Sequence, residues 1–103
     1  MSSEEKNFSV DLRMMADRTK KLNDELDNLK RATAQLCEEL AVMKTLWSGN
    51  AADAFYQSIA ADIGLIEDFA ASGDKAVHDH TYALNVYNEI EQRSADIVGA
   101  IQI

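Results

Sequence analysis

The sequence predicts an all-α fold, an antiparallel two-helix hairpin (about 9–46 and 51–98) that dimerises into a four-helix bundle. The chain has no proline and only four glycines, and this composition favours long helices. A seven-residue apolar repeat runs through each half of the chain, and one short break separates the halves. At 103 residues the chain amounts to a single domain. We expect short flexible segments at its ends, at about 1–8 and 99–103.

The first predicted helix carries a coiled-coil seam, a column of residues that recur in alternating steps of four and three. This is the spacing that one face of a supercoiled helix requires. The residues between seam positions are mostly charged, as expected of a solvated face. The seam consists of Phe8, Leu12, Met15, Thr19, Leu22, Leu26, Leu29, Thr33, Leu36, Leu40, Met43 and Trp47.

The second predicted helix has a broader stripe, made of a central column with a seven-residue repeat and an apolar column on each side. Three columns exceed what one neighbouring helix covers, so we expect this helix to cover both the first helix and a second chain. The alternative is a helix buried against one neighbour with some exposed alanine. The central column is Ile59, Ile66, Gly73, His80, Tyr87, Ser94 and Ile101. The flanking columns are Phe55, Phe69, Ala76, Ala83, Ile90 and Ile97 on one side and Ile63, Ala70, Val77, Leu84 and Val98 on the other.

Gly73 could break the second helix, since glycine costs about 1 kcal/mol relative to alanine in a helix interior. The seven-residue phase nevertheless continues from Ile66 through Gly73 to His80. We therefore predict a continuous helix with Gly73 on the packed face, where the missing side chain lets another helix approach. His80 is expected in the interior, opposite Thr19 or its neighbour Arg18. The predicted hairpin and dimer seam comprises Leu22, Leu26, Leu29, Leu36, Leu40, Phe55, Ile59, Ile66, Gly73 and His80.

The break between the helices has room only for Trp47-Ser48-Gly49-Asn50. Gly49 suits the left-handed conformation that ends a helix. Asn50 is a favoured N-cap, and Asp53 places a carboxylate in the first turn of the next helix, where the helix dipole stabilises it. So short a connection makes the helices antiparallel neighbours. Trp47 is then expected to lie over the first turns of the second helix, near Phe55.

The charge distribution bears on which partners the chain can bind. The net charge is −8, and residues 50–103 account for −7 of it, with nine acidic and two basic residues. Nucleic acids and anionic membranes attract clustered Lys and Arg, so we expect neither as a partner. The same acidity disfavours membrane disruption by an amphipathic hairpin. It would suit a helical partner that carries basic residues.

No residue pattern indicates catalysis or a bound cofactor. The two imidazoles of His78-Asp79-His80 are two positions apart on a helix and point to different sides, so they cannot chelate one metal ion. There is no phosphate-binding glycine loop and no nucleophile in a catalytic context. Cys37 has no second cysteine to pair with. We expect it to be a small apolar residue, at least half buried, with an intermolecular disulfide as the alternative. No enzyme activity, metal, cofactor or small-molecule substrate is expected.

The stretch "WSGNAADAF", at the midpoint of a hairpin of about one hundred residues, resembles the WXG-100 (ESAT-6-like) family of small type VII secretion substrates. Trp47 and Gly49 match the Trp-x-Gly of that family, followed by small residues and an aromatic one. The resemblance extends over the whole chain in length, architecture and turn position. It implies a non-enzymatic protein that acts as a homodimer or as the helical partner of a larger secreted effector. Its partners would be a related hairpin protein or an effector N-terminal domain, and the type VII secretion ATPase.

The resemblance also implies a C-terminal export signal of the form Tyr-x-x-x-Asp/Glu. "YNEIE" provides Tyr87 and Glu91. An extended form has apolar positions downstream; Val98 fits one of them, whereas Ser94 stands where an apolar residue is expected. In the alternative interpretation, compatible with the first, Tyr87 is a seam residue and Glu91 is solvated.

The resemblance implies that the protein is secreted without a cleaved signal peptide. It also implies a role in virulence or in competition between bacteria. "MSSEEKNFSVD" has no basic n-region and no apolar h-region. The alternative function is a cytosolic coiled-coil adaptor or chaperone that is not itself secreted.

Overall fold

Two α-helices form almost the whole of the structure. The computed structural model of the chain describes the backbone of residues 3–101 and the side chains of residues 10–101. Helix α1 is Ser3–Leu46 and helix α2 is Asn50–Ile101. The predicted all-α helical hairpin is confirmed. Helix α2 runs through Gly73 without interruption, as the unbroken seven-residue phase predicts.

Both helices extend beyond their predicted outer ends. Helix α1 starts at Ser3 rather than near residue 9, and α2 continues to Ile101 rather than ending near residue 98. The sequence before residue 9 contains no proline or glycine, and its acidic Glu4 and Glu5 suit the first turn of a helix. Gly99 alone does not end α2, since one glycine weakens a helix only modestly.

Parts of the predictions for the chain ends lie outside the described residues. They are the side chain of Phe8, which opens the predicted seam, and the outermost residues of the two predicted flexible segments, 1–2 and 102–103.

Gly49 is the residue at which the chain turns from α1 into α2. Its φ is +116°, the positive value that the sequence predicts for this glycine. The amide of Trp47 donates to the Met43 carbonyl at 2.8 Å, which completes the last turn of α1. The amide of Asp53 donates to the Gly49 carbonyl at 2.9 Å. The residue whose carbonyl accepts the first helical bond is the N-cap. Gly49, rather than the predicted Asn50, therefore caps α2, and Asn50 is its first helical residue.

The chain divides into two compact units, each built from one part of either helix. The turn unit is Asn23–Lys75, which contains the turn. The terminal unit combines Met1–Leu22 with Ala76–Ile103. The large apolar side chains buried in the turn unit are those of Leu26 and Ile63, and in the terminal unit those of Leu12 and Leu84. Among the described residues, no polar or charged side chain is buried.

The threonines of the predicted α1 seam satisfy their hydroxyl groups within the helix. Thr19 donates to the Met15 carbonyl at 2.7 Å, and Thr33 donates to the Leu29 carbonyl at 2.8 Å. Each bond spans four residues, a local pattern open to threonine in helices. The hydroxyl therefore needs no partner on α2, and both threonines remain half-buried in the seam.

Gly73 is a point of close approach between the helices of the turn unit. A Cβ atom placed on it would lie 2.7 Å from Cδ2 and 2.9 Å from Cδ1 of Leu26. These separations are shorter than real Cβ contacts, so the Leu26 side chain occupies the space that any larger residue at 73 would need. The predicted role of Gly73, to let another helix approach, is confirmed, and the approaching helix is α1.

Candidate functional site

An aromatic cluster covers the turn. The Trp47 ring lies 5.4 Å from the Phe55 ring, centroid to centroid, and 5.8 Å from the Tyr56 ring. Tilted and edge-on arrangements at these separations are favourable aromatic contacts. The hydroxyl of Tyr56 donates to the Trp47 carbonyl at 2.8 Å, which joins the start of α2 to the end of α1. The sequence predicts the contact with Phe55 but not the role of Tyr56. Its spacing could have indicated this role, because Tyr56 stands seven residues before the buried Ile63 and so lies on the same side of α2.

Gly49→Ala is expected to destabilise the hairpin by about 1–2 kcal/mol, because an alanine held at this positive φ is strained. The cause would be the backbone alone, since a Cβ on Gly49 has no atom within 4 Å. Urea denaturation followed by circular dichroism measures the loss. The matched control is Gly64→Ala, at a helical glycine with equally open surroundings. It should gain up to about 1 kcal/mol, and equal shifts in the two variants would contradict the strained turn.

One side of the turn unit is a polar face with a shallow groove. Its α1 wall includes Lys30, Ala34 and Cys37, and its α2 wall includes Glu67 and Ala70. The groove is open and has a volume of about 180 Å³, below the range of roughly 300–1,000 Å³ typical of ligand pockets. Cys37 is exposed on this face, which corrects the expectation of a side chain at least half buried. Its place in the seven-residue repeat, four residues after Thr33, sets it beside the seam rather than in it.

An exposed ion pair joins the helices on the polar face. Lys30 Nζ lies 2.6 Å from Asp74 Oδ2. The hydrogen bond that Lys30 donates to Asp74 raises the pKa of Lys30, and the charges of Asp74 and Asp27 act in the same direction. Lys44 recurs fourteen residues after Lys30, so it lies on the same side of α1, and its Nζ is 5.5 Å from the Tyr56 ring centroid. These contacts fix which flanks of the two helices adjoin on this side.

The opposite side of the turn unit is an apolar face. In a helix, residues three and four positions after a seam residue lie on either side of it. On α1, Lys30 stands four residues after Leu26 and belongs to the polar face, so Leu29, three residues after Leu26, belongs to the opposite side. On α2, Ala70 stands four residues after Ile66 and lines the groove of the polar face. Phe69 stands three residues after Ile66 and so belongs to the opposite side. By this spacing the apolar face consists of Leu29, Leu36, Met43, Phe55, Leu65 and Phe69.

The apolar face is substantially uncovered in the single chain. Leu65 is 68% exposed and Phe69 is 66% exposed. Met43 and Phe55 are also exposed, and Leu29 and Leu36 are half-buried. Within the turn unit, α1 therefore buries Ile63 and Ala70 of one predicted flanking column on α2, and it leaves Phe55 and Phe69 of the other column exposed.

The predicted seam residues differ in how far the hairpin itself covers them. Leu26 is buried, whereas Leu22, Phe55 and His80 are exposed. The prediction of an interior His80 is therefore wrong. The buried position in this part of α2 is Leu84, one column away, and the His80 Nδ1 instead donates to the Ala76 carbonyl one turn earlier at 2.7 Å. The half-buried members are Leu29, Leu36, Leu40, Ile59, Ile66 and Gly73.

The candidate export signal lies on α2 in the terminal unit. Tyr87 and Glu91 are four residues apart, so they are neighbours on one face of the helix. Tyr87 is 45% exposed, and Glu91 and Val98 are also exposed. Ile90 and Ile97 add apolar surface, and every residue in 91–101 is exposed. This stretch of α2 therefore offers apolar and acidic side chains to a partner.

Two kinds of site are not found in the part of the chain that the structure describes. Between residues 3 and 101, neither helix combines the length and apolar character that crossing a bilayer requires. Within the same range, no three His, Cys, Asp or Glu side chains gather closely enough to hold a metal ion. The described residues present exposed apolar side chains to a partner on the apolar face and at the end of α2.

Comparison with known proteins finds no matching family model, no matching curated protein and no matching solved structure.

Proposed function

We propose that this chain is a non-enzymatic protein exported by a type VII secretion system, acting as a homodimer or as the helical partner of a larger secreted effector. The observation that carries the proposal is the turn. A Trp-x-Gly sequence joins two long helices, with Gly49 at φ +116° and Trp47 packed against Phe55. These features coincide with the WXG-100 pattern in a chain of 103 residues.

The apolar face supports the part of the proposal that concerns partners. Large exposed apolar patches on a soluble protein mark surfaces that other molecules cover. Leu65 and Phe69 are each about two-thirds exposed and stand one helical turn apart. Packing another helical pair on this face would complete a four-helix bundle. Secretion would proceed without a cleaved signal peptide, through recognition of the folded hairpin by the secretion ATPase.

The exposed end of α2 supports the part that concerns export. Tyr87 and Glu91 fit the Tyr-x-x-x-Glu signal, and the helix that carries them is exposed throughout 91–101. An apolar groove on the secretion machinery could accept such a helix through side chains that recur every three or four residues. Tyr87, Ile90 and Val98 have apolar area available for this contact.

Tyr87→Ala is expected to reduce the amount of protein in the culture supernatant at least about ten-fold, the effect of losing roughly 1.4 kcal/mol of recognition. Glu91→Ala should act in the same direction. Immunoblots of the supernatant and the cell pellet, from a strain that secretes actively, measure the ratio. The protein should accumulate in the pellet at the wild-type level, since an exposed side chain contributes little to folding.

Matched controls lie on the same helix. Tyr82 is 69% exposed, so Tyr82→Ala removes an equivalent ring outside the motif. Glu89→Ala removes an exposed carboxylate two residues before Glu91. Both controls should be exported normally. Normal export of Tyr87→Ala, or equal loss in the Tyr82→Ala control, would remove Tyr87 from the proposed signal.

The alternative function is a cytosolic coiled-coil adaptor or chaperone. The exposed apolar face favours it as much as it favours a secreted partner protein, because both roles need a surface that binds helices. Retention of the wild-type protein in the cytosol of an actively secreting strain would support this alternative.

A further inference from the structure

The charged residues around the apolar face point to the kind of partner that covers it. Glu25 stands one turn before Leu29, and Glu39 stands one turn before Met43, so both border the face on α1. Asp62 lies midway between Phe55 and Phe69 in their seven-residue column on α2. All three acidic residues are exposed. Glu25 and Glu39 therefore lie at the α1 edge of the apolar surface, and Asp62 lies within it on α2.

None of the basic residues of the turn unit lies on the apolar face. Lys30 and Lys44 belong to the polar face, where they contact Asp74 and Tyr56. Arg31 and Lys75 each stand two residues after a seam position, Leu29 and Gly73 respectively, which places them about 200° around the helix, away from the partner helix. Within the turn unit, the apolar face thus has two acidic residues at its edge, one acidic residue within it and no basic residue.

We infer that the apolar face of the turn unit binds a different protein, an amphipathic helix or helical hairpin whose apolar stripe is flanked by Lys or Arg. This inference rests on the partner role in the proposed function and chooses between its two forms. A symmetric dimer presents the same surface on both copies. Two copies joined through this face would bring six carboxylates together, whereas a basic-flanked helix would pair with them. Complementary charges across an interface set partner choice in this way.

The first test uses the full-length wild-type chain and two designed probe peptides. Both probes carry leucine at the a and d positions of a heptad repeat; one has lysine at e and g and the other has glutamate there. We expect the lysine probe to bind at least about ten-fold more tightly at low salt, with the difference shrinking as salt screens the charges. Fluorescence anisotropy of labelled probes measures both affinities. Equal affinities at low salt would overturn the inference.

Charge reversal provides the second test. Glu25→Lys, Glu39→Lys and Asp62→Lys together should invert the preference between the probes. The control reverses the charges of Asp24, Glu38 and Asp68, which are also exposed. They lie one, one and six residues from the three test positions, and helical spacing places them on the outward sides of α1 and α2. This control changes the net charge by the same amount and should keep the original preference. Loss of the preference in both variants would show that total charge, rather than the charge at these three positions, decides binding.

Self-association and membrane binding are the competing outcomes. Sedimentation of the chain alone should give a monomer, or a dimer that strengthens with added salt. A tight dimer that Phe69→Glu abolishes and salt leaves unchanged would assign the face to a second copy instead. Binding to phosphatidylglycerol vesicles as tight as to the lysine probe would overturn the preference for a protein. All these measurements use purified components, so their results do not depend on whether cells export the chain.

Discussion

Leu26→Ala is expected to lower the free energy of unfolding by about 2–4 kcal/mol, the usual cost of emptying a leucine site in a core. Leu26 is only 3% exposed and is the least exposed large side chain of the turn unit. Its methyl groups fill the space over Gly73. Because the described residues bury few large side chains, few neighbouring side chains can shift to fill the cavity that the substitution leaves. A loss of this size is a large fraction of the stability of a small domain.

Urea denaturation monitored by circular dichroism, at one fixed protein concentration, measures the Leu26→Ala effect. Leu22→Ala is the matched control, since it makes the same chemical change in the same seam at a side chain that is 45% exposed. The control should lose less than about 1 kcal/mol. Equal losses in the two variants would mean that the seam is covered evenly, contrary to the burial pattern.

Gly73→Leu is expected to lower the free energy of unfolding by about 2 kcal/mol. Leucine gains about 1 kcal/mol over glycine in helix propensity. The new side chain must nevertheless displace Leu26, whose methyl carbons lie 2.7 and 2.9 Å from the position of its Cβ. Overpacking of this kind typically costs about 1–3 kcal/mol, and separation of the helices would add to it.

Gly64→Leu is the control for the Gly73 substitution. It lies in the same helix, and a Cβ there has no atom within 4 Å, so the variant should be as stable as the wild type or slightly more stable. A second check combines Gly73→Leu with Leu26→Ala. The smaller residue at 26 makes room for the larger one at 73, so the double variant should be more stable than the sum of the single losses predicts. Strict additivity would contradict direct contact between the two positions.

Helix content, the turn and the contact at Gly73 could be predicted from the sequence because each depends on local chemistry or on repeat spacing. An unbroken seven-residue phase indicates a continuous helix whatever it packs against. A glycine between two long helices is the natural site for a positive φ. Equal distances from the turn place Gly73 opposite Leu26 or its neighbours in an antiparallel pair.

The flank of α2 that packs on α1 could not be predicted from the spacing. Phe69 and Ala70 lie on either side of Ile66, and both belong to apolar columns, so periodicity marks them equally. The choice depends on small rotations of the two helices about their axes, which the spacing within one helix does not determine. His80 is likewise exposed, although Ile59 and Ile66 of its column are half-buried. Tyr56 was missed for a related reason: its hydroxyl bond to the Trp47 carbonyl depends on how the turn closes.

The most direct test of the proposed function is the location of the wild-type protein in matched strains with and without the secretion ATPase. We expect the protein in the culture supernatant of the parent strain and only in the cell pellet of the deletion strain. A cytosolic protein monitored in parallel controls for lysis. Equal amounts in both supernatants, or retention in both pellets while a known substrate is exported from the parent strain, would contradict export by this route.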